Sequence, residues 1–287
     1  MTCHMLDIQT RCPPLEDVDP VFHPGDLNKM FERIVRTAPA NRTLNDKEKE
    51  PLESGMTDYA VVVHSQPSSE AATEVSAVLD SSLPPWVITL ENFLTPEECD
   101  AMIELGYKYG YERSEDVGAL KFDGTHEGVQ NDRRTSENAW CSTFQGCRQQ
   151  EIPMLIHERM AKVMQIPVNN SEDLQVLRYE EGQFYRTHHD YIQHHAERHC
   201  GVRILTFFLY LSDVEAGGGT NFPQLDMTIH PKKGRALLWP SVLDSDPSKI
   251  DKRMYHQALP VEEGVKYAAN GWIHPFDYVT PQAAGCN

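Results

Sequence analysis

The strongest constraint on the fold is the pattern of the second half of the chain, where short apolar and β-branched runs alternate with turns. The strand-like runs are "LQVLRYE", "VRILTFFLYLS", "MTIHP", "GRALLWP", "YHQALPV" and "VKYAANGWIH". The segments between them, such as "EAGGGT" and "PKKG", are rich in the glycine, proline and charged residues of turns. Many short strands in series predict a β-sandwich or jelly roll.

Helix signals precede these strands. In "LTPEECDAMIELGYKYG", Thr95 is placed to cap a helix, Pro96 suits its first position, and Glu98 completes a capping box. A second helix is predicted over "IPMLIHERMAKVMQI". Helices followed by many strands indicate an α+β fold in which the jelly roll carries the functional site.

The composition divides the chain near residue 85. Residues 1–85 are polar and rich in breakers around one amphipathic stretch, "DLNKMFERIV". They are predicted to form an N-terminal arm that lies on the main domain or is partly disordered. The main domain is expected over residues 86–277, followed by a short tail over residues 278–287, and no internal repeat is visible.

Charge and hydropathy exclude some partners. The net charge of −17 argues against nucleic acid or an anionic membrane, which attract clustered Lys and Arg. No stretch approaches the roughly 18 apolar residues of a membrane helix. The opening "MTCHMLDIQTRCPP" lacks the regions of a signal peptide, so we expect either a cytosolic protein or an N-terminus that has been removed.

The cysteines leave the redox compartment open. Cys141 and Cys147 are close enough in sequence for a short disulfide loop, and Cys3 and Cys12 form a similar pair. No C-x-x-C pair is present, which disfavours a zinc ribbon. Disulfides, like the sequons "NRT" and "NNS", would suit an oxidising compartment. Buried, reduced thiols are the alternative.

Five histidines lie within "FYRTHHDYIQHHAERHC". His188 and Asp190 are two residues apart, so both side chains would lie on the same face of an extended strand. With His256 from a later strand they would form the two-histidine, one-carboxylate set of non-haem Fe(II) enzymes. The alternative for His188 is a polar histidine at a strand edge. The remaining histidines are expected to be solvated or to face substrate, with one able to support a ligand: His189, His194, His195 and His199.

Lys266 strengthens the metal interpretation. It follows His256 by ten residues and lies in a run of apolar and small residues. A buried lysine requires an anion, whereas a lysine at a strand end would extend to the surface. The ordered combination of H-x-D, a distal histidine and this lysine is more specific than any one of its members.

Together these motifs resemble the prolyl 4-hydroxylases among the 2-oxoglutarate- and Fe(II)-dependent dioxygenases, from about Trp86 to Asp277. The similar blocks are "WVITLENFLTPEECDAMIELG", "RRTSENAW", "LRYEEGQFYRTHHDY", "ILTFFLYLSDVEAGGGTNFP", "KKGRALLWPS" and "HQALPVEEGVKYAANGWI". The resemblance implies a double-stranded β-helix, that is, a jelly-roll core with supporting N-terminal helices.

The resemblance also implies a role for each matching residue. His188, Asp190 and His256 would hold Fe(II), and Lys266 would pair with the distal carboxylate of 2-oxoglutarate. Tyr179 and Thr220 would hydrogen-bond that same carboxylate, while Tyr185 and Trp272 would line the pocket near the metal. The residues implied to meet a proline-containing peptide are Arg203, Arg134, Thr135 and Ser136.

The implied reaction converts 2-oxoglutarate and O2 to succinate and CO2 while hydroxylating peptidyl proline, with L-ascorbate as reductant. Family members of this kind are generally enzymes of the endoplasmic reticulum or secretory pathway, which favours a Cys141–Cys147 disulfide; a cytoplasmic location is the alternative. The start of the chain resembles the tail of a small Cys-rich module. Other interpretations are an oxygenase of free amino acids, peptidyl lysine or a small molecule, an inactive binding protein, and a zinc hydrolase. The oligomeric state and the substrate protein are open.

Overall fold

The computed structural model describes residues 18–41, 52–67, 83–120 and 126–286. Its helices are α1 (Asp26–Thr37), α2 (Pro96–Tyr109), α3 (Glu151–Met164) and the short α4 (Val279–Ala283). In this part of the chain, no helix has the length and apolar character needed to cross a bilayer.

The strands are short, as the turn-rich sequence predicts. They are β1 (Ala60–Ser65), β2 (Val87–Glu91), β3 (Glu112–Arg113), β4 (Asp116–Leu120), β5 (His126–Val129), β6 (Glu137–Cys141), β7 (Leu174–Tyr179), β8 (Tyr185–His188), β9 (Leu205–Tyr210), β10 (Ala216–Gly217), β11 (Thr220–Phe222), β12 (Met227–Ile229), β13 (Ala236–Pro240), β14 (His256–Ala258), β15 (Val261–Glu263) and β16 (Lys266–Ile273).

Two antiparallel sheets form the jelly roll. The larger has eight strands in the order β1-β2-β13-β9-β16-β7-β6-β3, and the smaller has the order β12-β11-β14-β8. Phe208 and Leu237 of the larger sheet share one buried cluster with Phe222 and Ile229 of the smaller sheet. The two sheets therefore enclose a common interior, and the predicted α+β jelly roll is confirmed.

Alternation along β9 separates this interior from a second core. Phe208 and Tyr210 point between the sheets, whereas Phe207 and Leu209 point to the opposite face and pack with Met160 of α3. Successive side chains of a strand face opposite ways, so a strand buried on both faces is apolar throughout. This explains the uninterrupted run "LTFFLY".

Helix α2 begins as its sequence predicts. Thr95 accepts a hydrogen bond from the backbone N–H of Glu98, and the Glu98 carboxylate accepts one from the backbone N–H of Thr95. Pro96 occupies the first turn, where its missing N–H costs nothing. The Glu98 carboxylate also pairs with buried Arg159 of α3, with a shortest N–O distance of 2.5 Å. The cap therefore also ties α2 to α3.

The described part of the N-terminal arm packs on the main domain. The amphipathic stretch forms α1 and buries Leu27, Met30, Phe31 and Ile34. The Phe31 ring stacks on Trp86 with the ring centroids 5.4 Å apart. Strand β1, which the sequence did not predict, pairs with β2 at the edge of the larger sheet. Residues before position 85 thus contribute both a helix and a strand.

The disulfide expected at Cys141 and Cys147 is present, with the two Cα atoms 4.8 Å apart. Cys99 and Cys200 are free and buried, as reduced thiols are expected to be. The expected pair Cys3 and Cys12 lies outside the described residues.

Replacing Cys147 with serine should lower the free energy of unfolding by about 2 kcal/mol, because the crosslink closes a short loop and restricts the unfolded chain. Thermal unfolding with and without reductant measures this effect. Cys99→Ser, at a buried thiol without a crosslink, is the matched control for the change of sulfur to oxygen. A Cys147→Ser protein as stable as the oxidised wild type would show that the crosslink adds nothing.

Candidate metal centre and its cavity

The register of the smaller sheet brings His188 and His256 together. They are partners across the β8–β14 pair, although 68 positions separate them in sequence. Asp190 lies two residues after the end of β8, with its carboxylate 3.9 Å from His188 Nε2 and 3.6 Å from His256 Nε2. One ligand atom from each residue lies within 4.8 Å of the others. This spacing suits three ligands around one ion.

Hydrogen bonds fix which atoms face the centre. His188 Nδ1 lies 2.9 Å from the Arg186 carbonyl oxygen, and His256 Nδ1 lies 2.9 Å from that of Met254. Carbonyl oxygens only accept, so each Nδ1 carries a proton, and in the neutral imidazole the lone pair is then on Nε2. Thr206 donates to Asp190 Oδ2 at 2.6 Å, which orients the carboxylate.

The pKa values of His188 and Asp190 also favour metal binding. Burial lowers the pKa of His188 well below its usual value, which keeps the imidazole neutral. Burial alone would raise the pKa of Asp190, but His256 and His188 lower it to about 2. Neutral imidazoles and an ionised carboxylate are the forms that bind a metal ion.

Lys266 is fully buried, and its neighbour Thr220 across the Gly218–Thr220 turn lines the same cavity as the candidate metal ligands. Its Nζ donates to the Gly218 carbonyl oxygen at 2.7 Å and lies 5.3 Å from the ring centroids of Tyr179 and Phe208. Among the described residues no carboxylate lies within ion-pair distance of this ammonium group. Burial lowers the pKa of Lys266 to about 7. A buried lysine with one hydrogen bond lacks the anion that would stabilise its charge.

Polar hydroxyl groups surround the lysine. Tyr179 lies opposite Lys266 in the β7–β16 register. Thr220 Oγ1 accepts a hydrogen bond of 2.7 Å from the hydroxyl group of Tyr210, a residue that the sequence analysis did not single out. Tyr179 and Thr220 both line the cavity that contains His188, Asp190 and His256.

The cavity has a volume of about 310 Å³, and its lining includes the three candidate metal ligands. Tyr185 stacks on His188 with the ring centroids 3.6 Å apart. Trp272 is 5 % exposed, and its strand partner Thr206 is the residue that orients Asp190. Tyr185 and Trp272 therefore line the same cavity as the candidate metal ligands.

The three residues of the segment predicted to meet a peptide have different surroundings. Arg134 lines the cavity and lies over the Tyr185 ring, with its guanidinium carbon 4.7 Å from the ring centroid. Ser136 is fully buried and bonds to Ser114. Ser136 Oγ also accepts a hydrogen bond from Arg134 Nε. The expectation that Ser136 contacts the peptide directly is therefore corrected, because its buried hydroxyl group supports Arg134 instead. Thr135 is engaged with the backbone of Phe184.

Arg203 belongs to a second buried cluster. Both Glu172 oxygens accept from its guanidinium group, at 2.5 and 2.9 Å, and its guanidinium carbon lies 3.5 Å from the Trp272 ring centroid. Glu172, His195 and His274 also have the spacing of metal ligands. His274, however, faces the Gly201 carbonyl and Glu172, each at 2.8 Å, so both ring nitrogens must donate. An imidazolium does not bind a metal ion, so this cluster is better described as a set of ion pairs in which Glu172 holds Arg203 and His274 in place.

The charge of His274 predicts a pH dependence. Burial opposes that charge, but Cys200 and Glu172 raise the pKa of His274 to about 9 from 6.5. Because the pKa is raised in the folded state, the charge of His274 increases the free energy of unfolding. This contribution has its full value below pH 6.5 and is lost as the pH rises through about 9. We expect the free energy of unfolding of the wild-type protein, relative to that of His274→Gln, to fall over this range. Parallel stability curves, measured by denaturant unfolding, would contradict the assignment.

The other histidines of the cluster are not all solvated, contrary to the sequence expectation. His195 is buried, with its ring centroid 6.1 Å from that of His274. Although His189 reaches the cavity wall, its Nε2 bonds to the Asp251 carbonyl oxygen and its Nδ1 accepts from the Tyr191 N–H. Packing against residues distant in sequence determines these positions, so the local pattern could not reveal them.

Two polar residues of the cavity wall were missed by the sequence analysis. Gln175 on β7 and Asn270 on β16 line the cavity and are hydrogen-bonded to each other. A signal was present: each lies four residues from a predicted site residue, Tyr179 or Lys266, and therefore on the same face of its strand.

Comparisons with known proteins agree with this geometry. The model of the 2OG-Fe(II) oxygenase superfamily matches residues 174–274, which include all three metal-binding side chains and the lysine. A probable prolyl 4-hydroxylase 7 of Arabidopsis thaliana is 31% identical over 254 residues, covering 81% of this chain and 77% of the relative. Prolyl 4-hydroxylase 2 of the same plant is 34% identical over 236 residues, covering 74% and 75%.

A solved structure resembles the fold as well. It is the viral collagen prolyl hydroxylase from Paramecium Bursaria Chlorella virus-1, in its 2-oxoglutarate complex. The TM-score is 0.52 and the sequence identity 28%, and the match covers 65% of this chain and 94% of the viral one.

Proposed function

Because this chain belongs to the prolyl 4-hydroxylase family of 2-oxoglutarate- and Fe(II)-dependent oxygenases, we propose that it hydroxylates proline residues in peptides or proteins. The reaction would consume 2-oxoglutarate and O2 and release succinate and CO2. The residues of the cavity support this assignment in the following ways.

His188, Asp190 and His256 would hold Fe(II). Their donor set would be two imidazole nitrogens and one carboxylate oxygen, which suits a non-haem iron. The backbone carbonyl groups of Arg186 and Met254 keep each Nε2 free to bind. Fe(II) would supply the oxygen chemistry that couples decarboxylation of 2-oxoglutarate to hydroxylation.

The observation that carries the proposal is the buried ammonium group of Lys266, which forms no ion pair with a carboxylate of the described residues. A dicarboxylate bound between the metal-binding atoms and Lys266 would supply the missing anion. Hydrogen bonds from Tyr179 and Thr220 would hold the same carboxylate. A zinc hydrolase built on the same two histidines and aspartate would give Lys266 no anion to bind.

The cavity wall would orient the peptide and exclude water. Tyr185 and Trp272 flank the metal-binding residues with aromatic surface. Arg134, stacked on Tyr185, is the lining residue of the "RTS" segment and would meet the peptide. Arg203 also lines the cavity, where Glu172 fixes its guanidinium group, and it would meet the peptide as well.

We also propose the secretory pathway as the site of action, with L-ascorbate as the reductant that keeps the iron ferrous. The Cys141–Cys147 disulfide supports an oxidising compartment. The proposed oxygenase domain comprises residues 86–277.

Turnover with Fe(II), ascorbate and 2-oxoglutarate, with and without proline-containing peptides, tests the function. Succinate release and a mass gain of one oxygen on proline are the expected results, and neither should appear with His188→Ala. Succinate release without an oxidised peptide would support 2-oxoglutarate oxygenase activity but exclude these peptides as substrates. Failure of the wild-type protein to bind 2-oxoglutarate would contradict the proposal.

A further inference from the structure

The β13–β14 loop, residues 241–255, leads the chain into the distal candidate ligand His256. Its last turn, Lys252–Met254, is capped by the Asp251 carboxylate, which accepts from a backbone N–H of that turn at 3.0 Å. The Met254 carbonyl oxygen lies 2.9 Å from His256 Nδ1. Asp251 and Met254 are both buried, so the position of this turn determines the orientation of the His256 ring.

The same loop also contacts the chain on both sides of Asp190. His189 Nε2 donates to the Asp251 carbonyl oxygen at 2.9 Å, and the Tyr191 hydroxyl group donates to that of Ser248 at 2.9 Å. His189 and Tyr191 are the sequence neighbours of Asp190. The conformation of the β13–β14 loop is therefore linked to the positions of two of the three candidate metal ligands.

The N-terminal arm binds the first half of this loop at Asp244. Helix α1 begins at Asp26, and its N-cap residue Gly25 has no side chain to accept from the N–H groups of the first turn. Asp244, 216 positions after Asn28, supplies the missing acceptors. Its carbonyl oxygen accepts from the Gly25 N–H at 2.9 Å, and its Oδ1 accepts from the Asn28 N–H at 3.1 Å.

The Asn28 side chain joins the arm to the loop in one defined orientation. Trp86 Nε1 can only donate, so the Asn28 atom that lies 2.9 Å from it must be Oδ1. The donor Nδ2 is then the atom that meets Asp244 Oδ2, at 2.6 Å. Asp244 must therefore present an acceptor to Asn28.

We propose that Asn28 and Asp244 are positioning residues for the metal centre: the N-terminal arm holds the β13–β14 loop in the conformation in which Asp190 and His256 bind Fe(II). This inference rests on the proposed Fe(II) site. When only the ordered loop binds the ion, the apparent dissociation constant is the intrinsic value divided by the fraction of ordered molecules. Loss of the pair therefore weakens metal binding, although neither residue lines the cavity.

Exchange of the two side chains tests the pair. In Asp244→Asn the new amide oxygen must accept from the Asn28 N–H, so its nitrogen faces Asn28 Nδ2 and two donors meet. In Asn28→Asp two carboxylates meet. The double variant Asn28→Asp/Asp244→Asn again places one donor opposite one acceptor and still offers an oxygen to Trp86. Asparagine and aspartate have the same shape, so the fold is retained in all three proteins.

Each single change should raise the dissociation constant for Fe(II) about tenfold, because a hydrogen bond to a charged group is lost and its partner is opposed. The double variant should return to within about twofold of the wild-type value, since the two effects are coupled. Equilibrium dialysis of the intact chain against Fe(II) without oxygen, followed by metal analysis, measures the constant independently of turnover.

Arg33→Met is the matched control. Arg33 lies on the same helix and donates to the Val163 and Met164 carbonyl oxygens at the end of α3, so its loss removes contacts of the arm that do not involve the loop. This variant should keep the wild-type dissociation constant for Fe(II), even where thermal unfolding shows that it has lost stability.

An unchanged dissociation constant in both single variants would overturn the inference and leave the proposed function intact. A loss of affinity that persists in the double variant, or an equal loss in Arg33→Met, would also overturn it. A wild-type protein that binds no Fe(II) would remove the proposed function and this inference with it.

Discussion

Replacing His188 with alanine should abolish hydroxylation, lowering kcat/KM by more than about 10³-fold, because the protein would lose one of its three metal-binding groups and the oxidation depends on the cofactor. His256 is the strand partner of His188, so His256→Ala should have the same effect. Iron content, measured by metal analysis after dialysis, should fall from one ion per chain to almost none in both variants.

His230→Ala is the control for this experiment. His230 is an exposed histidine just after β12 and outside the cavity lining. This variant should retain both iron and activity. An iron content of one per chain in His188→Ala, with full hydroxylation, would show that the metal is held elsewhere.

Replacing Lys266 with methionine should raise the concentration of 2-oxoglutarate needed for half-maximal rate by about 100-fold. A charge-assisted hydrogen bond in a buried site contributes about 1.5–3 kcal/mol, and the carboxylate would also lose its counter-charge. Methionine fills a similar volume without charge, so the fold should be retained. Titration with 2-oxoglutarate, followed by succinate release, measures the shift.

The pKa of Lys266 adds a second test. Burial lowers it to about 7 in the absence of ligand, and a bound carboxylate would raise it again. The charged form binds, so binding of 2-oxoglutarate takes up a proton above pH 7 and affinity should fall as the pH rises. The groups facing the ammonium are the rings of Tyr179, Phe208 and Tyr210, which carry no charge at this pH.

The dissociation constant should therefore rise by up to about tenfold per pH unit above 7 in the wild-type protein. It should be nearly independent of pH in Lys266→Met. Calorimetric titrations from pH 6 to pH 9 distinguish these cases. A wild-type affinity that is constant over this range would contradict a role for the lysine charge.

The sequence was sufficient to predict the parts of the fold that depend on local pattern. The cap of α2 follows from the identities of Thr95, Pro96 and Glu98, and the structure confirms it. The strands β7, β9, β13 and β16 follow from apolar runs bounded by turns. The chain could also indicate that His188, Asp190 and His256 belong together, because their order and spacing match a known arrangement.

What the sequence could not provide depends on contacts between distant residues. The burial of Ser136 beneath Arg134 arises from the pairing of β6 with β7, which no local signal specifies. The charge of His274 depends on Gly201 and Glu172, which reach it from other parts of the chain. Strand β1 joins the larger sheet through its pairing with β2, and the polar sequence around it gave no sign of this.

The most direct test of the central claim is turnover in an atmosphere of ¹⁸O₂, with 2-oxoglutarate, Fe(II) and a proline peptide. Mass spectrometry would follow the label in both products. The account predicts one labelled oxygen atom in the hydroxyproline and one in succinate, with formation of both lost in His188→Ala. A hydroxylated peptide whose oxygen comes from water, or one formed without 2-oxoglutarate, would contradict it.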